Sequence, residues 1–389
     1  MPKPLIKIPA KRPRILCILH YPPPVHGAAM VGYYIQQSKL INEEFDCNYI
    51  NLSTSQQLDE IGKGGYKKLL AFLKLYFKVI YTVIADRYDF CYLTINSKGR
   101  GYYKEMVIVF ILKILNYKFI YHYHNKGINS YKKNWLLDKM HSYQLKNSRV
   151  ILLSKQLYPD ISKYMAEDKV YYCPNGVPVL PDLKVENLNI YRAKKKTPEL
   201  LFLSNMMREK GVFTLLEACR ILQSKGIEFK SNFVGSWSDI KEADFNAFIL
   251  KNNMQGNIFY AGRKNEIEKS DYFKHADIFI LPTLNDALPL VILEAMQHGL
   301  PVISTDEGAI SEVVENNFNG FLIPKDDPET LARRIECLIY DPSLRLIMGT
   351  RSLQKFEKRY SLTTFEQNFV STIRKIVNDF TSLSAAVDN

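Results

Sequence analysis

Two acidic side chains lie eight residues apart in a stretch whose pattern predicts a strand, a loop, a helix and a second strand. The stretch is DIFILPTLNDALPLVILEAMQHGLPVIS, residues 277–304, and it places Asp286 in the loop and Glu294 in the second turn of the helix. The run IFILP is typical of a buried parallel strand. A helix start offers free backbone N–H groups and a partial positive charge, so residues 288–291 suit an anion. A carboxylate beside it, like those that bind ribose hydroxyls in dinucleotide folds, would complete a nucleotide site.

The same stretch resembles a known sequence motif. DALPLVILEA is similar to the acidic-x7-Glu motif of retaining glycosyltransferases with the GT-B fold, in the large family 4 group, and the flanking HGLPVIST and later NGFLIP resemble that family too. The family usually has Glu where this chain has Asp286. The resemblance implies that Asp286 contacts the transferred sugar, that Glu294 contacts the donor ribose, and that a backbone contribution comes from the helix start at Leu288, Pro289 and Leu290. Proline suits a first helical position, so the helix is expected to begin at Pro289. An ordinary strand–helix–strand unit with solvent-facing acids is the alternative.

A second segment of the same half carries positive charge. The loop SNMMREKG, residues 204–211, resembles the family's G-R-L-x-x-x-K-G. In that alignment Lys210 matches the phosphate-binding lysine, whereas Asn205 stands in the arginine position, so Arg208 is expected to supply the missing charge. Two cations suit a diphosphate leaving group. Arg263, which follows a glycine at a predicted strand end, is expected to contact the base or the phosphate.

The first half offers candidate residues at the ends of its predicted strands. RILCILHY predicts a strand that leads into PPPVHGAAM, where Gly27 would let the backbone approach a ligand closely. The resemblance implies that this turn lies near the donor diphosphate, and a tight strand-to-helix turn is the alternative. KFIYHYHNKG predicts a strand with His124 at its carboxyl end, where an imidazole can orient a reacting hydroxyl or stabilise developing charge. The resemblance implies that His124 lies near the transferred sugar, and His122 is expected in the core. Lys98 and Arg100, in the basic loop NSKGRG, are candidates for an acceptor phosphate or simply solvated side chains.

The charge of the chain is unevenly distributed. Residues 1–190 hold 27 basic and 14 acidic side chains, a net charge of +13, whereas residues 191–389 hold 25 and 26, a net charge of −1. Such an asymmetry indicates a polyanionic partner: nucleic acid, an anionic membrane surface, or a diphosphate-bearing acceptor.

One predicted helix of the first half has a basic stripe. In residues 66–84, Lys67, Ala71, Lys74 and Lys78 share one side, and Leu69, Leu73, Tyr76 and Ile80 lie opposite. Such a helix can lie on an anionic bilayer, or it can pack on a sheet with solvated lysines. The regional charge favours the membrane.

Length and pattern predict the architecture. A chain of 389 residues favours two domains. Together with the resemblance, the alternating strands and helices predict an α/β protein with two Rossmann-like domains facing a cleft (GT-B) and a C-terminal helix that returns to the first domain. The expected boundaries are residues 1–178 for the N-terminal acceptor-side domain, 179–197 for an irregular linker, 198–362 for the nucleotide-sugar donor domain and 363–389 for the returning helix and tail.

Several classes of protein are disfavoured. No signal peptide is visible, and the longest apolar run, residues 106–115, is too short to span a membrane, so a cytoplasmic protein is expected, with peripheral contact to the inner face of the cytoplasmic membrane. The six cysteines lack CxxC spacing, and Cys17, Cys91, Cys173 and Cys337 lie in apolar runs, which favours buried free thiols. No D-x-D occurs, which argues against metal-dependent GT-A enzymes, and neither a metal nor a cofactor is expected.

The resemblance implies a retaining glycosyltransferase that moves a hexosyl unit from a nucleotide-sugar to a hydroxyl. The basic first half favours a lipid-linked saccharide as acceptor and a role in bacterial surface polysaccharide synthesis. Two alternatives stay open: a GT-B nucleotide-sugar 2-epimerase, and a basic nucleic-acid-binding protein. The second alternative is weakened because no helix-turn-helix or aromatic RNA-binding motif appears.

Overall fold

The structure is a computed structural model that describes residues 12–53, 66–129 and 134–387, without the side chains of Lys67 and of residues 381–387. The chain forms two compact units. The first unit contains Met1–Leu152, Pro159–Tyr172 and Glu366–Asn389, and the second contains Leu153–Tyr158 and Cys173–Phe365. Each unit is built on one six-stranded sheet, and all strand pairs within the two sheets are parallel.

The sheet of the first unit has the order β2-β1-β3-β4-β5-β6. Its strands are β1 (Arg14–Leu19), β2 (Asp46–Asn51), β3 (Phe90–Leu93), β4 (Phe119–Tyr123), β5 (Ser148–Leu152) and β6 (Val170–Tyr172). Its helices are α1 (Gly27–Gln37), α2 (Lys39–Glu44), α3 (Tyr66–Ala85), α4 (Gly99–Ile114) and α5 (Trp135–Leu145). Every residue of β3, β4 and β5 is buried, as expected for strands covered on both faces.

The sheet of the second unit has the order β12-β11-β10-β7-β8-β9. Its strands are β7 (Glu199–Leu203), β8 (Lys230–Val234), β9 (Ile258–Gly262), β10 (Ile278–Leu281), β11 (Val302–Thr305) and β12 (Gly320–Ile323). Its helices are α6 (Val185–Ala193), α7 (Val212–Ser224), α8 (Glu242–Lys251), α9 (Glu266–His275), α10 (Leu290–Gln297), α11 (Ile310–Val313), α12 (Pro328–Tyr340) and α13 (Pro342–Arg359). The strand order reverses between β7 and β10, as it does between β1 and β3 in the first sheet. The predicted pair of Rossmann-like sheets is therefore confirmed.

The last helix, α14 (Leu362–Val387), joins the first unit from Glu366 onward. Its Phe369 packs edge-on against Tyr92 of β3, with ring centroids 5.3 Å apart. Its Phe380 contacts Phe90, with centroids 6.4 Å apart. The prediction that a C-terminal helix returns to the first domain is confirmed.

The structure corrects several sequence-based expectations about individual elements. The segment predicted as an irregular linker contains the helix α6, whose Val185 and Arg192 are buried. The Arg192 guanidinium donates to the carbonyls of His298 (3.0 Å) and Phe273 (2.9 Å), and these contacts hold the helix in place. The expected burial of Cys337 is wrong, because that thiol lies on the exposed side of α12, whereas Cys17, Cys91 and Cys173 are buried as expected. The sequence predicts one helix that runs from the turn after β1 to about Ile41, but this helix ends at Gln37, because Ser38 caps a separate helix by accepting from Ile41 N–H at 3.2 Å.

Candidate functional site

The loops that follow β7 and β10 leave the second sheet where its strand order reverses. These two strands are neighbours in the sheet, and such a switch point is where open α/β sheets bind ligands. The loop after β7 contains Asn205, Arg208 and Lys210, and the loop after β10 contains Asp286. The sheet therefore brings together two segments that are more than 70 residues apart in the sequence.

Hydrogen bonds fix the two loops to each other. The carbonyl of Glu209 accepts from Leu284 N–H at 2.7 Å and from the Thr283 hydroxyl at 3.0 Å. The Asn285 amide donates to the Glu209 carboxylate at 3.0 Å. Gly211 ends the first loop with a φ of +76°, and a Cβ there would lie 2.0 Å from the Pro282 carbonyl oxygen, so no other residue fits this close approach.

The ammonium of Lys210 lies 2.5 Å from the carboxylate of Asp286. The Thr283 hydroxyl lies 3.4 Å from the same carboxylate oxygen, and the Asp286 N–H donates to Glu307 at 3.3 Å. Both side chains of the ion pair remain partly accessible, with 21% and 17% of their surfaces exposed. The site thus presents a lysine that could exchange a carboxylate for a phosphate.

The helix after this loop begins one residue later than expected. Leu290 is the first residue of α10, and Pro289 occupies the capping position with an extended conformation. Proline has no side-chain acceptor, so the capping residue makes no side-chain hydrogen bond to the start of this helix. Its first N–H groups are therefore suited to an anion, which keeps Leu288, Pro289 and Leu290 as candidates.

Glu294 lies one turn into α10, and its side chain is only 16% exposed. One carboxylate oxygen accepts from the ammonium of Lys269 on α9 at 2.8 Å, and the other oxygen is buried without a hydrogen-bond partner among the described residues. Burial raises the pKa of Glu294, and the charge of Lys269 opposes that effect. Because a buried carboxylate oxygen without a partner is costly, its position points to a ligand hydroxyl.

Three further residues predicted to bind the nucleotide-sugar donor have different surroundings. Arg208 is exposed, and its guanidinium lies over the Phe213 ring at 5.1 Å. Asn205 follows β7 and is half-buried, and Arg263 follows β9 and is exposed. The structure brings Lys210 and Asp286 together but leaves the side chain of Arg208 stacked on an aromatic ring.

In the first unit, Gly27 and His124 both follow strands of the sheet. Gly27 opens α1, and no atom lies within 4 Å of where its Cβ would be. His124 comes directly after β4, and its ring centroid lies 4.1 Å from that of His122. His122 is buried and its Nδ1 lies 2.7 Å from the Tyr92 hydroxyl, as expected for a core histidine.

A polar cluster that the sequence analysis missed lies at the strand reversal of the first sheet. Nε2 of His20, after β1, lies 3.1 Å from the carboxylate of Glu105 on α4. Glu105 is 1% exposed and accepts from the Asn96 N–H at 2.7 Å and from the Asn96 amide at 2.6 Å. One signal was available: Glu105 is the only acidic residue in an otherwise apolar and basic helix. Lys269 was missed as well, because nothing marks it among the charged residues of α9.

The basic candidates of the first unit lie on its surface. Lys98 and Arg100, at the start of α4, are exposed, as are Lys74 and Lys78 on α3. The side chain of Lys67 lies outside the described residues. None of the helices in residues 12–53, 66–129 and 134–387 combines the length and apolar character that crossing a bilayer requires. Over the same ranges, no three His, Cys, Asp or Glu side chains come together as metal ligands.

Known proteins resemble parts of this chain in sequence. Residues 184–355 match the family model described as glycosyl transferases group 1. The amylovoran biosynthesis glycosyltransferase AmsK of Erwinia amylovora is 33% identical over 152 residues, which is 38% of this chain and 37% of the relative. The capsular polysaccharide biosynthesis glycosyltransferase CapM of Staphylococcus aureus is 28% identical over 163 residues, 41% of each chain. The chain thus matches less than half the length of these curated relatives.

Solved structures resemble the chain over nearly its whole length. Sucrose-phosphate synthase from Thermosynechococcus elongatus has a TM-score of 0.74 at 16% identity and covers 95% of this chain and 100% of its own. Anabaena Alr3699/HepE in complex with UDP and glucose has a TM-score of 0.68 at 18% identity and covers 92% and 99%. These similarities establish the GT-B fold. The comparisons favour neither the epimerase nor the nucleic-acid-binding alternative.

Proposed function

We propose that this chain is a glycosyltransferase that moves a hexosyl unit from a nucleotide-sugar to a hydroxyl acceptor with retention of the anomeric configuration. The observation that carries the proposal is the pair of loops at the switch point of the second sheet, which hold Lys210 against Asp286. The match of residues 184–355 to group 1 glycosyl transferases supports it.

The donor is bound by the second unit in this proposal. Lys210 exchanges Asp286 for the donor diphosphate, with the uncapped start of α10 adding backbone N–H groups. The unpartnered oxygen of Glu294 accepts a hydrogen bond from a ribose hydroxyl, and Asp286 contacts hydroxyls of the sugar. Asn205, Arg208 and Arg263 are secondary donor contacts. Arg208 reaches the phosphates only by leaving the Phe213 ring. The complex of Alr3699/HepE with UDP is the reason to test uridine donors first.

The chemistry needs no nucleophile from the protein. The bond between the anomeric carbon and the diphosphate oxygen breaks, and the acceptor oxygen bonds to the same face of the sugar. The acceptor proton passes to the departing phosphate oxygen. Lys210 and the start of α10 stabilise the negative charge that develops on the diphosphate. Positively charged and N–H groups contribute most to catalysis when they interact with charge that develops in the transition state. His124 orients the sugar or the acceptor hydroxyl, and Gly27 leaves room for the substrate. No metal or cofactor takes part.

The acceptor in this proposal is a lipid-linked saccharide used in bacterial surface polysaccharide synthesis. The names of AmsK and CapM, which refer to amylovoran and capsular polysaccharide, support that class of pathway. Lys98 and Arg100 would contact the acceptor phosphate. The protein would work at the cytoplasmic face of the membrane, attracted by Lys67, Lys74 and Lys78.

A thermal-shift panel of UDP-, GDP- and ADP-sugars tests the donor site. We expect one nucleotide to raise the unfolding temperature and the Lys210→Met variant to lose most of that shift. Lys358→Met, an exposed lysine of α13, is the matched control and should keep it. A flat panel, or equal shifts in Lys210→Met and the native protein, would overturn the donor assignment. For a donor and acceptor pair that react, the anomeric proton in the NMR spectrum of the product tests retention.

A further inference from the structure

Helix α3 has two apolar faces, and only one of them packs in the core. Leu75, Val79 and Val83 are buried against the first unit. Of the side predicted to lie opposite the lysines, Leu69 and Leu73 are exposed. The outward face carries large apolar side chains that are 42% to 75% exposed: Leu70, Leu73, Phe77, Tyr81 and Ile84. A water-facing helix side is normally polar, so this face requires an explanation.

Helix α4 repeats the pattern. Tyr103, Val107, Phe110 and Ile114 are spaced by four, three and four residues, which places them on one side of the helix. All four are between 41% and 66% exposed. An exposed stripe without one charged side chain is unusual on a protein surface in water.

The two exposed stripes belong to one surface. The Tyr76 hydroxyl of α3 donates to the Lys104 carbonyl of α4 at 3.1 Å, so the helices are neighbours. Phe110 of α4 contacts Tyr143 of α5, with ring centroids 6.1 Å apart. Helix α3 connects β2 to β3, α4 connects β3 to β4, and α5 connects β4 to β5, and each connection moves in the same direction along the sheet. Because such crossovers are right-handed, the three helices lie on the same side of the sheet. We call this surface the apolar face and define it by Leu70, Leu73, Phe77, Tyr81, Ile84, Tyr103, Val107, Phe110, Ile114 and Tyr143.

Positive charge borders the apolar face. Helix α3 has four lysines and no acidic residue, and its exposed Lys74 and Lys78 lie beside the apolar stripe. On α4 the one carboxylate, Glu105, is buried. The basic residues Lys98 and Arg100 are exposed at the start of α4. The partner of this face must therefore accept apolar side chains at its centre and supply negative charge at the border.

We propose that the apolar face inserts into the boundary between headgroups and acyl chains of an anionic bilayer. An interfacial surface of this kind has apolar and aromatic side chains in the membrane and lysines at the level of the phosphates. A second copy of the chain fits less well, because it would bring lysines against lysines with no exposed carboxylate on α3 or α4 to balance them. The inference rests on the proposed function, because a lipid-linked acceptor would bring the enzyme to a membrane surface. It differs from attraction by lysines alone, because the apolar side chains provide the anchor.

Vesicle flotation with the full chain tests the proposal. The vesicles are phosphatidylcholine alone, or phosphatidylcholine with about one-third phosphatidylglycerol. We expect the native protein to float with the anionic vesicles and Phe77→Ser/Ile84→Ser to lose more than tenfold in partitioning. The matched control is Ile267→Ser/Tyr340→Ser in the second unit, because Phe77 and Ile84 are 69% and 75% exposed and Tyr340 and Ile267 are 68% and 78% exposed. The control should float like the native protein.

A charge variant separates insertion from attraction. Lys74→Glu/Lys78→Glu should lower partitioning to anionic vesicles by at least fivefold for each lysine, and should leave the weaker partitioning to neutral vesicles unchanged. The proposal is overturned if the native protein does not float, or if Phe77→Ser/Ile84→Ser floats as well as the control. It is also overturned if size-exclusion chromatography without vesicles shows a dimer that this variant converts to a monomer.

The donor panel and the flotation assay fail independently. The apolar face contains none of the residues proposed to bind the nucleotide. A flat donor panel with normal flotation would overturn the proposed function and leave the apolar face as a membrane surface. Normal donor binding without flotation would overturn the membrane inference and the proposed attraction by lysines, and would leave the donor assignment in place.

Discussion

The ammonium of Lys269 lies 2.8 Å from one carboxylate oxygen of Glu294, and the second oxygen of that carboxylate is buried with no hydrogen-bond partner in the part of the chain that the structure describes. Lys269 also pairs with Glu266 at 2.8 Å, so its position on α9 is fixed by two carboxylates. One half of Glu294 is therefore held in place, and the other half is available to a ligand. Such an arrangement orients a hydrogen-bond acceptor before the ligand arrives.

The first prediction concerns that free oxygen. Glu294→Gln should weaken binding of the nucleoside diphosphate that the panel selects by about tenfold to a hundredfold, because a hydrogen bond to a charged group contributes about 1.5–3 kcal/mol. The 2′,3′-dideoxy analogue should bind the variant and the native protein equally in calorimetry, because it lacks the hydroxyls. Equal losses for both nucleotides would mean that Glu294 does not contact the ribose.

The second prediction follows from the ion pair of Lys210 with Asp286, whose charged atoms are 2.5 Å apart. Asp286→Asn should tighten binding of the free nucleoside diphosphate by a few-fold, because it removes a negative charge near the phosphates and releases Lys210; removing an exposed or partly exposed pair typically changes the free energy by about 1 kcal/mol. The same variant should slow sugar transfer. Lys210→Met should weaken binding instead. Weaker diphosphate binding by Asp286→Asn would contradict the exchange of partners at Lys210.

The third prediction concerns Gly308, which has a φ of +59°. A Cβ there would lie 2.3 Å from the Asp286 carbonyl oxygen and 2.5 Å from that of Ala287. Gly308→Ala should lower the free energy of unfolding by about 1–3 kcal/mol, the usual cost of such backbone strain, and should weaken donor binding by displacing the Asp286 loop. Gly256→Ala, where nothing lies within 4 Å of the added carbon, is the control for urea denaturation. Unchanged stability of Gly308→Ala would show that the loop adapts.

The fourth prediction concerns pH. Burial lowers the pKa of His298 to about 4, and its Nδ1 lies 2.7 Å from the Glu294 carbonyl. In the unfolded chain a histidine has a pKa of about 6.5, so between pH 6.5 and 4 the unfolded state binds more protons than the folded state. The contribution of His298 to the free energy of unfolding is fully present above pH 6.5 and decreases as the pH falls toward 4. The total decrease is at most about 3 kcal/mol.

Burial also lowers the pKa of His26 and His141 to about 4. Urea denaturation at pH 7, 6 and 5 should therefore show a falling free energy of unfolding in the native protein. His298→Gln should show a shallower fall, because one of these buried histidines with a lowered pKa is gone. Parallel curves for the two proteins would contradict the assignment of His298 as a neutral buried imidazole.

The fifth prediction concerns the buried carboxylate of Glu105. Glu105→Ala removes the acceptor of two Asn96 donors and of His20, and should lower the free energy of unfolding by about 3 kcal/mol or more. Glu105→Gln keeps one acceptor oxygen and should lower the free energy of unfolding by less than Glu105→Ala does. Glu357→Ala, an exposed glutamate of α13, should leave the denaturation midpoint unchanged. If all three variants unfold alike, the cluster does not contribute to stability.

The sequence allowed the second unit to be predicted in more detail than the first. The spacing of Asp286 and Glu294 is local, so one strand–loop–helix unit carries the information. Lys269 reaches Glu294 across 25 residues, and its helix has several charged residues that look alike in the sequence. Only the packing of α9 beside α10 selects one of them.

The first unit was harder to predict because its interactions are long-range. His20 meets Glu105 across 85 residues, and no local pattern connects them. Helix α3 shows a different difficulty, because it has apolar residues on two sides. Its sequence predicts a helix but does not decide which of these two sides faces the sheet.

The position of α14 has a consequence for synthesis. The aromatic residues Phe369 and Phe380 cover Tyr92 and Phe90 of the first sheet, but they are translated after the whole second unit. While the ribosome makes residues 173–365, the nascent first unit therefore keeps part of one sheet side exposed, open to chaperones or to aggregation. A polypeptide that stops at residue 178 would retain that exposed side, and adding residues 366–380 as a separate peptide should rescue its solubility.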